Sequence, residues 1–439
     1  MGSFFGNVQV RGNTWLMTAV VNAIRKGAEG FDEVTDASLA DRTVLVLPPD
    51  AGGFLAIYDE AGESQDVGAL DALAATVSRA ARGHAFSVLV HDSDVLRLGL
   101  YRSGERRDTF DSYPDYFGGG ETKKKPKPGA PRKDAGDPRA WEPLLAPGGF
   151  FASNTSTLPI SGLAKASARP AKFVGIHFFS PVDKMKLVEI IRGQQTDDET
   201  VARAFDYVQA IGKIPIVVND SRGFYTSRTF GTFVMEGAAM LGEGIPAPVI
   251  ENAGIQCGMP VGPLAVLDET ALSLSVHVLD QTRADFAAEG KTYTATPGEL
   301  LVERMVKELK RPGRAGGGGF YDYPAGARKT LWPQLRTLFE KPGAAYELQD
   351  IKDRLLYRQA VETARCLSEG VLTTVHDANI GSIFGIGFPA WTGGALQFIY
   401  GMGVDRFAAR AAELAAAHGP GFALAPSVIE TLRRFEPRW

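Results

Sequence analysis

The chain has 439 residues, 44% hydrophobic and 22% charged, with a formal net charge of −4. That balance suits a folded protein of roughly two to four domains and excludes a basic protein that attracts nucleic acid or anionic membrane by charge alone. Cys257 and Cys366 are too few and too far apart for a disulfide framework or a zinc site. No apolar run reaches the roughly 18 residues of a membrane span. The start MGSFFGNVQVRGN lacks the basic, apolar and small-residue parts of a signal peptide, so a cytoplasmic protein is expected.

In chain order, residues 1–118 read as a small α+β module. Thr43–Leu47 and Phe54–Tyr58 are predicted strands, and the turn residues between them make the pair a hairpin. Val67, Leu70, Leu73 and Val77 recur at helical spacing, with Gly83 as a stop. Ala85–Val90 and Val95–Tyr101 are further strands, and Ser103-Gly104 turns the latter into Arg106–Phe110. His91, Asp92 and Asp94 read as a turn rather than a metal site, because polar residues between two strands ordinarily make turns. No metal site is expected anywhere.

Residues 119–140 read as a linker. Glu121–Lys133 holds six basic residues and three prolines. Proline removes backbone donors and like charges repel, so a solvated tether is expected. Without interleaved aromatics it is no nucleic-acid tail. Asp137–Leu145 reads as one short helix.

Residues 141–219 carry strands at Phe150–Thr155, Phe173–Phe178, Leu187–Ile191 and Ile214–Val218. A helix capped by Asp198 presents Val201, Phe205, Val208 and Ile211, and ends at Gly212. The first strand ends in Ser153, Asn154 and Thr155, small polar groups that suit the carboxyl end of a strand beside a ligand crevice. His177 follows a β-type run, and Glu189 sits twelve positions on (189 − 177) inside the apolar run Leu187–Ile191. A lone acid in an apolar run is costly unless paired. A carboxylate that accepts from one imidazole nitrogen fixes the tautomer and raises the basicity of the other. A His–Glu pair across adjacent strands accounts for both residues, and so does a satisfied core histidine beside a strand-edge glutamate.

From Phe224 on, strands give way to helical periods. Glu236, Ala238, Leu241, Glu243, Gly244, Val249 and Pro263 recur 126 positions later (362 − 236) as Glu362, Ala364, Leu367, Glu369, Gly370, Val375 and Pro389. Residues 223–325 and 349–435 are therefore expected to be copies of one helical unit. Met235, Met240, Met259 and Met305 lie in apolar helical contexts and read as core. Gly385–Gly403 is apolar and glycine-rich, suited to packing between helices or to contact with a partner subunit.

SNTSTLPI at Ser153–Ile160 followed by HFFSPVDKMKLVEII resembles the 3-hydroxyacyl-CoA dehydrogenase family. The resemblance is nearest to the C-terminal part of the α subunit of the bacterial multifunctional fatty acid oxidation complex and runs from about residue 150 to 437. It implies a fold of α/β plus all-α class. A partial Rossmann-type sheet at 141–219 is followed by two related helical domains at 220–330 and 345–439, and the α+β module precedes it. It further implies NAD as cofactor, an acyl-CoA substrate, oxidation of (3S)-3-hydroxyacyl-CoA in β-oxidation, and a thiolase subunit or self-association as partner.

By the same resemblance His177 would be the general base and Glu189 its orienting acid. Ser156 would contact the substrate hydroxyl and the cofactor. Asn154 and Ser180 would lie near the nicotinamide. Ser227 stands in GFYTSR where many members carry asparagine. Ala315, in GRAGGGGFYDY, stands where the family commonly has lysine. The chain departs from the family at one further point. Nothing in residues 1–150 has the strand–GxGxxG–helix pattern that binds a dinucleotide pyrophosphate, and the glycines of Gly316–Gly319 precede aromatics rather than a helix. The alternative expectation is a catalytically silent homologue acting in binding or assembly.

Overall fold

The computed structural model describes residues 5–11, 19–21, 23–24, 44–46, 54–59, 67–91, 95–111, 140, 145, 148–288, 290–324, 326–341, 343 and 346–437. The expected linker, the turn at Asp92 and Asp94, and almost all of the helix expected at Asp137–Leu145 lie outside them. Two compact units are resolved. One is Met1–Ala152 with Leu163–Phe173 and Phe179–Met185. The other is Ser153–Gly162, Val174–Phe178 and Lys186–Trp439.

In the first unit the strands are β1 (Phe5–Arg11), β2 (Val44–Val46), β3 (Phe54–Asp59), β4 (His84–His91), β5 (Val95–Arg102) and β6 (Glu105–Asp111). They form one antiparallel sheet in the order β2-β3-β1-β4-β5-β6. Helix α1 (Val67–Ala80) buries Leu70, Ala74 and Val77 against Ile57, Ala85 and Tyr101. The expected β2–β3 hairpin pairing is present. Strand β1, at the centre of the sheet, is an addition to the sequence reading. A bulge between Leu100 and Tyr101 lets both consecutive side chains be buried, which regular alternation forbids.

A second sheet has the order β10-β9-β8-β7, from β7 (Phe151–Ser153), β8 (Phe173–Phe178), β9 (Leu187–Arg192) and β10 (Ile214–Asn219). β9 runs parallel to β10 and antiparallel to β8, and the register sets His177 directly opposite Glu189. The one-turn helix α2 (Ile160–Leu163) starts on the carboxylate of Asp220, which accepts from the Ile160 and Ser161 N–H groups at 2.8 and 2.7 Å. Helix α3 (Asp198–Ala210) is capped by Asp197 rather than Asp198: the Asp197 side chain accepts from Thr200 N–H, and Asp198 occupies the first turn. Val201 and Val208 are buried as expected, whereas Ile211 is 42% exposed, because the helix has already ended at Ala210.

The helical remainder comprises α4 (Thr226–Glu243), α5 (Ala247–Cys257), α6 (Pro263–Glu269), α7 (Leu272–Ala288), α8 (Pro297–Lys307), α9 (Gln334–Phe339), α10 (Leu348–Ser368), α11 (Val375–Ile386), α12 (Ala395–Met402), α13 (Val404–His418) and α14 (Pro426–Phe435). Strands do not vanish altogether. β11 (Tyr321–Asp322) pairs with β12 (Thr330–Leu331) in a short antiparallel ladder. One apolar core joins α4, α5, α6 and α8 to α10 and α11, with Met240, Met259 and Met305 buried in it and Met235 packed at its edge.

The 126-residue repeat carries into the side chains. Arg228 donates to Glu362 at 2.9 Å and grips Glu369 with both terminal nitrogens. Its counterpart Arg354 (354 − 228 = 126) donates to Glu236 at 2.7 Å and grips Glu243 with both terminal nitrogens at 2.6 Å. Each arginine of one copy therefore holds the same two glutamates of the other, which is the pattern of a two-fold, self-complementary contact made within one chain.

Candidate active site

Strand pairing brings His177 and Glu189 face to face. His177 Nδ1 lies 3.0 Å from Glu189 Oε2, with His177 5% and Glu189 0% exposed. A buried carboxylate needs donors on both oxygens, and the start of α4 supplies them. Tyr225 and Thr226 N–H donate to Oε1 at 3.0 and 3.1 Å, and the Thr226 hydroxyl donates to Oε2 at 2.6 Å. These are N–H groups that a helix cannot satisfy internally, at its positive end, where an anion is favoured.

The chain reaches this position through a strained hinge. Gly223 has φ +72 and Phe224 φ +48, left-handed values that are uncommon for a bulky residue and cost about 1–2 kcal/mol. The hinge turns the exit of β10 abruptly into α4, so that the Tyr225 and Thr226 amides face Glu189. Phe224 is fully buried, its ring tilted against the His177 imidazole at 6.2 Å between centroids. From behind, the buried Tyr225 hydroxyl donates to the Ala378 carbonyl at 2.8 Å, so α11 holds the hinge. Burial pushes the Tyr225 phenol and the nearby Cys366 thiol upward, and both stay neutral. Asn219 adds a second tie, with its N–H donating to Val371 O and its side chain to Gly370 O.

The loop after β7 is fastened to the same place at two points. Asn154 Oδ1 accepts from Phe178 N–H at 2.8 Å, next to His177, and Gly223 N–H donates to Thr157 O at 3.0 Å. Ser156 lies exposed between these ties, and Ser227 is half-buried in the first turn of α4. Ser180 precedes Pro181 in the segment Phe179–Met185, which clusters with the first unit. Of the six residues singled out from the sequence, His177 and Glu189 are thus in direct contact. Asn154, Ser156 and Ser227 lie on segments fastened to that pair. Phe224, Tyr225 and Thr226 are not among the six. A buried Glu189 needs more donors than one imidazole, but that need does not say which residues supply them.

Residues 139–221 match the NAD binding domain of 3-hydroxyacyl-CoA dehydrogenase, and residues 223–323 match its C-terminal domain. Both matches are to domains of that one family, and together they span the segment that carries His177, Glu189 and the start of α4. Among solved structures the chain is similar to 3-hydroxybutyryl-CoA dehydrogenase from Escherichia coli, at 20% identity over 65% of this chain and 75% of that one, with a TM-score of 0.53. That likeness speaks for the fold. It is also similar to (S)-3-hydroxybutyryl-CoA dehydrogenase from Ralstonia eutropha, at 36% identity over 40% of this chain and 60% of that one, TM-score 0.36. With the dehydrogenase part of multifunctional enzyme 1 from C. elegans it shares 23% identity over 64% of each chain, TM-score 0.45. The chain spans less than two thirds of the latter two.

NAD is the cofactor of the first matched domain. The described residues offer one buried imidazole oriented by Glu189, with Asn154 tied to the neighbouring Phe178 amide. The sequence contains no GxGxxG turn for its pyrophosphate. Among the described residues no group of three or more His, Cys, Asp or Glu side chains could hold a metal ion, and no helix is long and apolar enough to cross a membrane.

Proposed function

We propose that the chain oxidises (3S)-3-hydroxyacyl-CoA to 3-oxoacyl-CoA in fatty acid β-oxidation, in the cytoplasm, with His177 as general base. The observation that carries this reading is the buried His177–Glu189 contact, whose acid is held by the start of α4. Glu189 accepts a hydrogen bond from Nδ1–H, which leaves Nε2 as the basic nitrogen. Nε2 takes the proton of the substrate 3-hydroxyl as the C3–H bond breaks. Bound NAD supplies the hydride acceptor. Ser156 and Asn154 would contact the substrate hydroxyl and the nicotinamide end, with Ser180 beside the latter. The Ser227 hydroxyl would donate to the substrate carbonyl oxygen, a shorter reach than asparagine gives. On this reading residues 141–219 form the closing part of the NAD-binding domain. Residues 220–330 and 345–439 are the two helical copies, 1–118 is a separate module, and a thiolase subunit or a second copy of the chain is the partner.

The missing GxGxxG turn favours a second reading, a silent homologue that binds or assembles without turnover. NADH binding to the purified chain, followed by fluorescence, separates the two. Micromolar binding, with turnover abolished by His177→Ala and reduced by Glu189→Gln, supports the dehydrogenase. No binding at millimolar NADH sinks it.

A further inference from the structure

Two carboxylate oxygens offer about four acceptor directions, and at Glu189 all four are used. Oε1 takes the Tyr225 and Thr226 amides; Oε2 takes the Thr226 hydroxyl and His177 Nδ1. Backbone amides only donate, and a hydroxyl 2.6 Å from a carboxylate oxygen must donate as well. The ring nitrogen is therefore the fourth donor, and His177 carries its proton on Nδ1.

We infer that Thr226 is a positioning residue for His177, the third member of a His177–Glu189–Thr226 chain. The two amides hold Oε1 at the helix start, but Oε2 has only the ring nitrogen and the Thr226 hydroxyl. The hydroxyl, at 2.6 Å, fills one acceptor direction of Oε2 and leaves the other to Nδ1; without it Oε2 has a free direction and a weaker hold on the ring. Threonine suits the task. Its side chain is fully buried, and branching at Cβ stiffens its χ1, so the hydroxyl direction is set before the acid arrives. Valine has nearly the same shape and cannot donate.

The other ionisable groups near the pair act on it less directly. Tyr225 and Cys366 are buried and kept neutral by burial. Arg228 on α4 is spent on Glu362 and Glu369. Arg192, at the end of β9, pairs with Asp198. His376 and Asp377 stand in the first turn of α11, and Glu199, Arg203, Asp206 and Tyr207 lie on the exposed face of α3.

This inference rests on His177 being the base, but the tautomer can be read without turnover. The experiment uses the full chain with 15N-labelled histidine, without substrate or cofactor, and records long-range 1H–15N spectra of the imidazoles. His177 is assigned by its loss in His177→Asn. Wild type and Thr226→Ser should show the Nδ1-protonated tautomer alone, and Thr226→Val a mixture with the Nε2-protonated form. In turnover, Thr226→Val should lower kcat about tenfold with KM within about twofold, and Thr226→Ser should restore it. A pure Nδ1–H tautomer in Thr226→Val overturns the inference. So does Thr226→Ser behaving like valine, which would make the effect one of packing. Should Thr226→Val not fold, Thr226→Ala and Thr226→Cys put the same question. If wild type shows no turnover, the dehydrogenase reading fails while the tautomer comparison still decides the role of Thr226.

Discussion

At the residue scale, Glu189 is where stability and chemistry coincide. Its burial removes a full charge from water, and four donors repay that cost. Glu189→Gln keeps the shape but replaces one acceptor oxygen by an amide NH2, which can be satisfied only if the Thr226 hydroxyl turns round and His177 changes tautomer. It should destabilise the chain by about 2–4 kcal/mol in urea unfolding, besides lowering turnover. A loss below about 0.5 kcal/mol would mean that the four contacts on Glu189 do not stabilise the fold. The sequence pointed to this acid and its histidine because an acid in an apolar strand demands an explanation. It pointed to only one donor because the others are backbone amides and one hydroxyl. Their role depends on a left-handed Phe224, and no pattern of residue types announces that conformation.

At the element scale, the start of α4 is held by α11. A Cβ on Gly381 would meet Tyr225 Cε1 and Ile216 Cδ1, each at 2.8 Å. Gly381→Ala therefore forces the tyrosine or the helix to move. We expect a loss of about 1–3 kcal/mol, with a fall in kcat although Gly381 lies far along the chain, on α11. Unchanged turnover would show that α11 does not govern the hinge. The helices themselves were legible from apolar periodicity and from the repeat. The errors fell at their ends. Asp197 and Asp198 are equally good capping residues, and only backbone geometry chooses between them. The two-residue ladder β11–β12 is too short to leave a period.

The ion pairs between the copies also separate by burial. Arg354 is 2% exposed and Arg228 19%. Removing a buried partner strands its carboxylate, so Arg354→Met should cost about 3–5 kcal/mol and Arg228→Met less. Equal costs in urea titrations of the two variants would sink this ranking.

At the scale of the molecule, the resemblance read over about residues 150–437 overlaps the matched segments 139–221 and 223–323, while 324–437 lies outside both matches. The first unit was legible as strands and one helix but not as a sheet, since the pairing of β1 with β3 and β4 is non-local. The buried thiols give a global test. Burial raises Cys257 from 9.0 to about 11. The folded form thus holds its proton more tightly than the unfolded one. The stabilisation is complete below pH 9 and is lost as pH rises toward 11, about 2–3 kcal/mol in all. Urea unfolding on either side of that window should show the fall in wild type and a smaller one in Cys257→Ala. Neither cysteine should react with a thiol reagent in mildly alkaline buffer until the chain is unfolded.

The reciprocal grip of Arg228 and Arg354 has a consequence for shortened chains. Arg228 holds Glu362 and Glu369, whose counterparts in its own copy are Glu236 and Glu243. A fragment lacking residues 346–437 would thus display both halves of one lock. Two such fragments should associate head to head, each Arg228 closing on the other's Glu236 and Glu243, with a melting temperature that climbs with protein concentration. Added back in trans, the excised piece should compete for that lock and dissolve the pair into a split, complemented protein.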